Sequence, residues 1–317
     1  MDPVCHTLVG VALAETGLKR RTPGGALTLL IGANLPDVDI LSYAWGSLTA
    51  LTFRRGWTHG APAMFVLPLL LAAAVFWLRR LPVPRRARQP AVFGQLALLS
   101  YASMLTHPVL DTLNTYGMRW LMPFRDGWFY GDTLFIVDPW LWGLLAAGVM
   151  LARRRGTGRP AHAALGLALA YILAMWSGSV MARRDVRSRV AAEDGKNGRI
   201  MVSPVPLNSL ARLILVDEGG RYRLGWYRWV GGPRLEWYGE LEKNDGDPAA
   251  REAAQTEEGA AFLTWARFPF FIRQRTRAGD VVHIVDARYT VDPEAPFGAL
   301  TVRLPRVGEE DQNTSGR

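Results

Sequence analysis

The feature that most constrains this chain is a series of long apolar runs, most of them closed by clustered arginines. Ala61 to Leu78 carries no charge and stops at Arg79-Arg80, and Pro90 to Leu110 contains no Asp, Glu, Lys or Arg. Asp138-Pro139 opens a third run to Ala152, stopped by Arg153-Arg154-Arg155, and Pro160 to Ala182 ends at Arg183-Arg184. Runs of about 20 apolar residues match the hydrocarbon thickness of a bilayer. The chain therefore reads as crossing a membrane several times.

Charge supports that reading. The 317 residues carry a net charge of +9, but up to Arg189 there are 20 Lys/Arg and 9 Asp/Glu, and from Val190 onward 17 and 19. The whole basic excess lies between apolar runs, as the positive-inside rule requires of cytoplasmic loops. The loop at residues 81–89, with arginines at 85, 86 and 88, reads as one of these. Nucleic-acid binding would instead place basic residues and aromatics together on one folded surface. The one cysteine, Cys5, excludes intrachain disulfides and a cysteine-built zinc site. Met1-Asp2-Pro3 lacks the basic start of a cleavable signal peptide, so membrane entry is expected through the internal runs.

The expected fold is a membrane α-helical bundle with a C-terminal soluble α+β domain. Residues 1–189 form the membrane domain, 190–307 the soluble one and 308–317 a disordered tail. Pro3 to Ala14 reads as a short helix, Thr22 to Pro36 as a second one begun by Pro23, and Ile40 to Phe53 as an interfacial stretch. Beyond Arg189, β-formers predict strands at 221–229, 281–291 and 299–304, with a helix within 248–268.

The chemistry centres on Thr106-His107-Pro108-Val109-Leu110-Asp111. Four residues apart on a helix, His107 and Asp111 share a face. If the arginine clusters are cytoplasmic, then His6, Asp37, Asp39, His59, His107, Asp111 and Asp138 all fall at helix ends on the other side of the membrane. Ionisable groups at membrane depth are costly and usually functional. Imidazole and carboxylate donors suit zinc, which in catalytic sites keeps a position for water and acidifies it. The number of donors allows one or two ions, with Asp111 as the bridge. His162 and His283 read as structural.

The ordered set of His6, Pro36-Asp37-Val38-Asp39, Arg55-Gly56-Trp57-Thr58-His59, and Thr106-His107 with Asp111 and Asn114 resembles the bacterial inner-membrane metal-dependent hydrolases. That family is distantly similar to the zinc-dependent phospholipase C and single-strand nuclease superfamily. The resemblance covers about residues 1 to 160. It implies that Asp37 or Asp39, His59, His107 and Asp111 hold one metal, with His6 and Asp111 contributing to another. Downstream acidic ligands have only Asp132 and Asp138 as counterparts.

The expected function is therefore an integral inner-membrane hydrolase in which zinc-activated water attacks a phosphoester, in a lipid or another envelope component. Asp37, Asp39, His59 and Asp111 are the expected catalytic groups, and Arg55, Asn114 and Arg125 the expected substrate contacts. The site and the C-terminal domain are expected on the non-cytoplasmic side. The competing reading is a membrane scaffold or regulator with a closed structural metal site and a partner-binding C-terminal domain.

Overall fold

The computed structural model describes residues 1–81, 90–194 and 198–305. The expected cytoplasmic loop at 82–89 and the expected tail at 308–317 lie outside the described residues. The N-terminal part is helical: α1 (Pro3–Glu15), α2 (Gly25–Gly32), a 3₁₀ stretch (Leu35–Trp45), α3 (Ser47–Phe53), α4 (Ala61–Arg80), α5 (Phe93–Met104), α6 (Thr106–Thr112), α7 (Pro139–Arg155) and α8 (Arg159–Asp194). Asp2 caps α1 by accepting from the backbone N–H groups of Val4 and Cys5, and Pro3 supplies the fixed φ of a first helical residue. The second helix begins at Gly25, two residues after the Pro23 start expected from sequence.

Among the described residues two helices, α4 and α8, are long and apolar enough to cross a bilayer. They are buried over only 28% and 22% of their apolar stretches, unlike the core helices of a soluble protein. Neither of the other two runs forms a helix of that length. Run 90–110 divides at Leu105 into α5 and α6, of 12 and 7 residues, and α7 has 17. Pro108 explains the division: it has no N–H for the Met104 carbonyl, and its ring needs the space that this carbonyl occupies in a continuous helix. The break starts a new short helix whose His107, Leu110 and Asp111 are all buried.

Packing places α1 against α2 and α7, α5 against α2 and α4, and α7 against α8. One core joins Cys5, Val9, Leu110, Leu141 and Leu145; another joins Met64, Leu71, Val75, Leu96 and Met104.

The C-terminal part holds two antiparallel sheets. The first is a meander of β1 (Ile200–Val205), β2 (Asn208–Asp217), β3 (Arg221–Arg228) and β4 (Arg234–Glu242). After α9 (Pro248–Gln255) and α10 (Glu257–Trp265), the second runs β5 (Pro269–Thr276), β6 (Gly279–Asp286) and β7 (Ala299–Pro305). The strands expected near 221, 281 and 299 are present, and the expected helix is divided in two. Met201, Leu215 and Leu224 of the first sheet meet Phe270 and Val285 of the second. The end of α8 lies under the first sheet, with Ala182, Val186 and Val190 packed on Ile200, Val202, Ile214 and Val216.

Helix α8 thus continues beyond the apolar run that ends at Ala182 and joins the two parts. Its contact with α7 is close: a Cβ added at Gly148 would lie 2.2 Å from the Ala164 Cβ. Gly148→Ala is expected to destabilise the fold by about 1–3 kcal/mol through overpacking, although alanine favours helix by about 1 kcal/mol. Gly166→Ala, where an added Cβ meets nothing within 4 Å, is expected to be neutral or stabilising. Thermal unfolding of the two variants in detergent checks the opposite signs.

Candidate metal centre

The residues that make the centre come from three places. The 3₁₀ stretch carries Asp37, the turn before α4 carries His59, and α6 carries His107 and Asp111. These four side chains each turn one donor atom to a common point, with all four atoms within 4.8 Å of one another. Nε2 of His59 and Nε2 of His107 are 3.1 Å apart. Asp111 Oδ2 lies 3.5 Å from the first and 3.4 Å from the second, and Asp37 Oδ1 3.8 Å and 3.6 Å. A tetrahedron with bonds of about 2.0–2.1 Å to zinc has edges of about 3.3–3.4 Å. The cluster is already close to that size.

The hydrogen bonds behind the rings decide what faces inward. His107 Nδ1 is 2.8 Å from the Ala33 carbonyl, to which it can only donate. His59 Nδ1 is 2.9 Å from Thr58 Oγ1 and 3.4 Å from Asp39 Oδ2. With Nδ1 of each ring donating outward, both Nε2 atoms of the neutral rings present lone pairs to the same point as two carboxylate oxygens. Asp111 Oδ2 is buried and has no hydrogen-bond partner. Four electron-rich atoms converge on a point that could hold a metal ion, and imidazole and carboxylate donors are of the kind zinc accepts.

The acid–base balance reflects the same concentration of negative charge. Burial would raise the Asp37 carboxyl, but the hydrogen bond and charge of His107 hold it down at about 2. Asp111, where burial again opposes, is held well below the usual carboxylate range by Arg55, the Met1 ammonium and His107. Burial pushes His6 down to about 3 and lowers His59, which leaves both rings neutral and able to ligate. On His107 burial is outweighed by Asp111 and Asp37, which push it up to about 9.

The other sequence candidates take distinct places. Asp39 is not in the cluster: its carboxylate accepts from the Arg55 backbone N–H at 2.8 Å and lies against Thr58, Arg54 and His59 Nδ1. The reason is helical register, since residues two apart on a 3₁₀ helix point about 120° from each other and only one can face the centre. His6 stacks on His107 with ring centroids 3.7 Å apart, and its Nε2 is 3.3 Å from Asp111 Oδ1. That same Oδ1 accepts from the Met1 ammonium and lies 3.5 Å from Arg55 Nη2. The bridge expected of Asp111 thus has one oxygen toward the four-donor cluster and the other toward existing cations.

Arg55 is buried, in a left-handed backbone conformation (φ 53°) that is uncommon outside glycine and typical of functional positions. Its guanidinium donates to Asn114 Oδ1 and the Gly117 carbonyl, both at 3.2 Å. Asn114 is a scaffold for this arginine, for it also accepts from the N–H groups of Tyr116 and Gly117. Arg125 lies on an exposed loop and, among the described residues, forms no ion pair with the cluster. Asp138 caps α7 and accepts from Tyr171, while Asp132 pairs with Arg183 and Arg267; neither is a downstream ligand. His162 is exposed and bonded to the Gly158 carbonyl, and His283 lies beside Thr301 in the second sheet.

A cleft of about 680 Å³ reaches the centre from outside. Asp37, Arg54 and Arg55 are its charged lining, and Leu30, Ile31, Leu35, Val38 and Ile40 give it an apolar wall. Sequence reasoning missed Arg54 and the Ala33 carbonyl. The adjacent Arg54-Arg55 pair was a signal for the first; a backbone carbonyl leaves none.

Comparison with known proteins bears on the same stretch. Residues 1–183 match the model of a family described as YdjM inner membrane protein, and all four donors lie inside that match. Over 149 residues the chain is 24% identical to the uncharacterized protein YfhP of Bacillus subtilis (strain 168), which covers 44% of this chain and 43% of that protein. The chain therefore spans less than half the length of that relative. No solved structure matches.

Replacing Asp111 with Asn is expected to abolish metal binding at the cluster. Asp39→Asn, which loosens the orientation of His59 without removing a donor from the cluster, should weaken it about 10–100-fold. Metal content and competitive zinc titration of the purified variants separate the two outcomes.

Proposed function

The chain belongs to the YdjM inner membrane protein family, and on that premise we propose that it is a membrane-embedded, zinc-dependent hydrolase acting on a phosphoester. The observation that carries the proposal is that Asp37 belongs both to the donor cluster and to the wall of the cleft. Three donors, His59, His107 and Asp111, are fully buried, whereas the Asp37 side chain retains 17% of its exposure. Three protein ligands with one accessible position is the arrangement of catalytic zinc sites.

A bound divalent ion supplies Lewis acidity, acidifying water and polarising a phosphoryl oxygen. The chain supplies the rest. His59, His107 and Asp111 would hold the ion, and Asp37, ionised and facing the cleft, would be the group placed to accept a proton from water there. Arg54 and Arg55 place cationic groups beside it for the phosphate oxygens. Asp39 acts through His59, which it orients. The apolar wall from Leu30 to Ile40 suits the hydrocarbon part of a membrane amphiphile, and exposed Leu41, Tyr43 and Trp45 extend it outward. A distant relation to the zinc phospholipase C and single-strand nuclease superfamily belongs to this reading, as do membrane lipids as partners.

The same reading places the chain in the membrane as a multi-pass protein. His59 stands just before α4, and Arg79-Arg80 form its far end. Arg153–Arg155 end α7, and α8 leads from there to the sheets. By the positive-inside rule the centre and the C-terminal domain share the non-cytoplasmic side.

One observation favours the alternative of a non-catalytic scaffold or regulator: four protein donors can fill a tetrahedral shell completely, as in structural sites. Asp37→Asn decides between them. In the catalytic reading it keeps zinc but lowers phosphodiesterase turnover about 10²–10⁴-fold, the usual contribution of a general base. In the structural reading it loses zinc as Asp111→Asn does, and the wild type hydrolyses nothing. Zinc content and cleavage of a chromogenic phosphodiester, before and after chelation and zinc re-addition, provide the measurement.

A further inference from the structure

The family match ends at residue 183, yet the C-terminal part reaches back to the centre. Arg288 follows the end of β6, and its side chain is fully buried. Its guanidinium is held by Asp286, with Nε 2.8 Å and Nη2 2.7 Å from Oδ2, and donates through Nη2 to the Trp265 carbonyl at 2.8 Å. The remaining nitrogen, Nη1, crosses to the N-terminal part and donates to the Thr115 carbonyl at 2.9 Å.

Thr115 sits within the turn whose N–H groups, at Tyr116 and Gly117, close on Asn114 Oδ1. That oxygen and the Gly117 carbonyl hold Arg55, which in turn faces Asp111. A second line of contact runs parallel: the Trp265 ring packs on the Tyr116 ring at 5.2 Å, and Tyr116 lies under the Arg55 guanidinium at 4.4 Å. Both lines start in the C-terminal domain and end at Arg55.

We propose that Arg288 is a positioning residue for the metal centre, and that the C-terminal domain serves to lock the Asn114–Gly117 turn so that Arg55 is held against Asp111. Its link to catalysis rests on the hydrolase reading above; the locking of the turn does not. A buried arginine with five donors in a fixed plane can tie two peptide carbonyls and a carboxylate at once, which a lysine cannot. Removing it leaves the Thr115 carbonyl buried without its donor.

The test uses the full chain in detergent, with Arg288→Met and the paired Arg288→Met/Asp286→Asn, which removes both charges together and so spares the fold a lone buried carboxylate. Hydrogen exchange at the Tyr116 and Gly117 amides should quicken about tenfold in both, the equivalent of one lost buried hydrogen bond, while β6 and β7 keep their protection. Cobalt titration should show a severalfold weaker site with an altered visible spectrum. Unchanged exchange at Tyr116 and Gly117 overturns the proposal, and so does a loss spread evenly over β5–β7, which is plain destabilisation. Cobalt uptake by the wild type is read separately: if the wild type takes none, the hydrolase reading fails, and the exchange result still decides whether Arg288 locks the turn.

Discussion

Everything in the N-terminal part is arranged around one electrostatic problem: two imidazole lone pairs and two carboxylate oxygens share a space only a few ångströms across. In a medium of low polarity such a cluster repels itself strongly, and burial of unpaired charge is among the most costly things a fold can do. The surrounding structure makes the repulsion tolerable by supplying positive charge on one flank and by fixing every ring from behind. The Arg55 guanidinium stands on the Oδ1 side of Asp111, beside the Met1 nitrogen; the Ala33 carbonyl and the Thr58–Asp39 pair fix the two histidines. What remains uncompensated is the centre itself, a place that could hold a metal ion.

The helical framework follows from that need for precision. A continuous helix through 93–112 would have been the simplest product of so apolar a run. Pro108 prevents it, and the short helix that follows carries the imidazole and the carboxylate one turn apart on a buried face. The proline that breaks the long helix thus builds the site. Backbone strain at Arg55 has a similar meaning, since the left-handed conformation is retained where the N–H is taken by Asp39 and the side chain by the turn at Asn114.

Much of this was legible in the sequence, and the exceptions have definite causes. The spacing of His107 and Asp111, the isolation of His59 before an apolar run and the Pro-Asp-Val-Asp signature pointed to one centre. The choice between Asp37 and Asp39 was not legible, because it depends on whether the segment winds as 3₁₀ or as extended turn. Arg125 resembled a phosphate contact by its nearness in sequence, while Arg54, which lines the cleft, was overshadowed by its neighbour. The apolar run 90–110 overstated helix length, since hydropathy does not register the break that accompanies Pro108. The first sheet was largely missed because β2 is nearly continuous in Leu, Ile and Val, a pattern that a buried helix shares.

The length of α8 carries one more implication. At 36 residues it is about 54 Å long, against roughly 30 Å for a hydrocarbon core. In the proposed topology it therefore stands as a mast that protrudes well above the lipid, with the first sheet fastened to its upper third. The sheets cannot drift up or down without dragging the mast. What α8 fixes in that topology is the height of the first sheet above the lipid, since the strands ride on the helix itself.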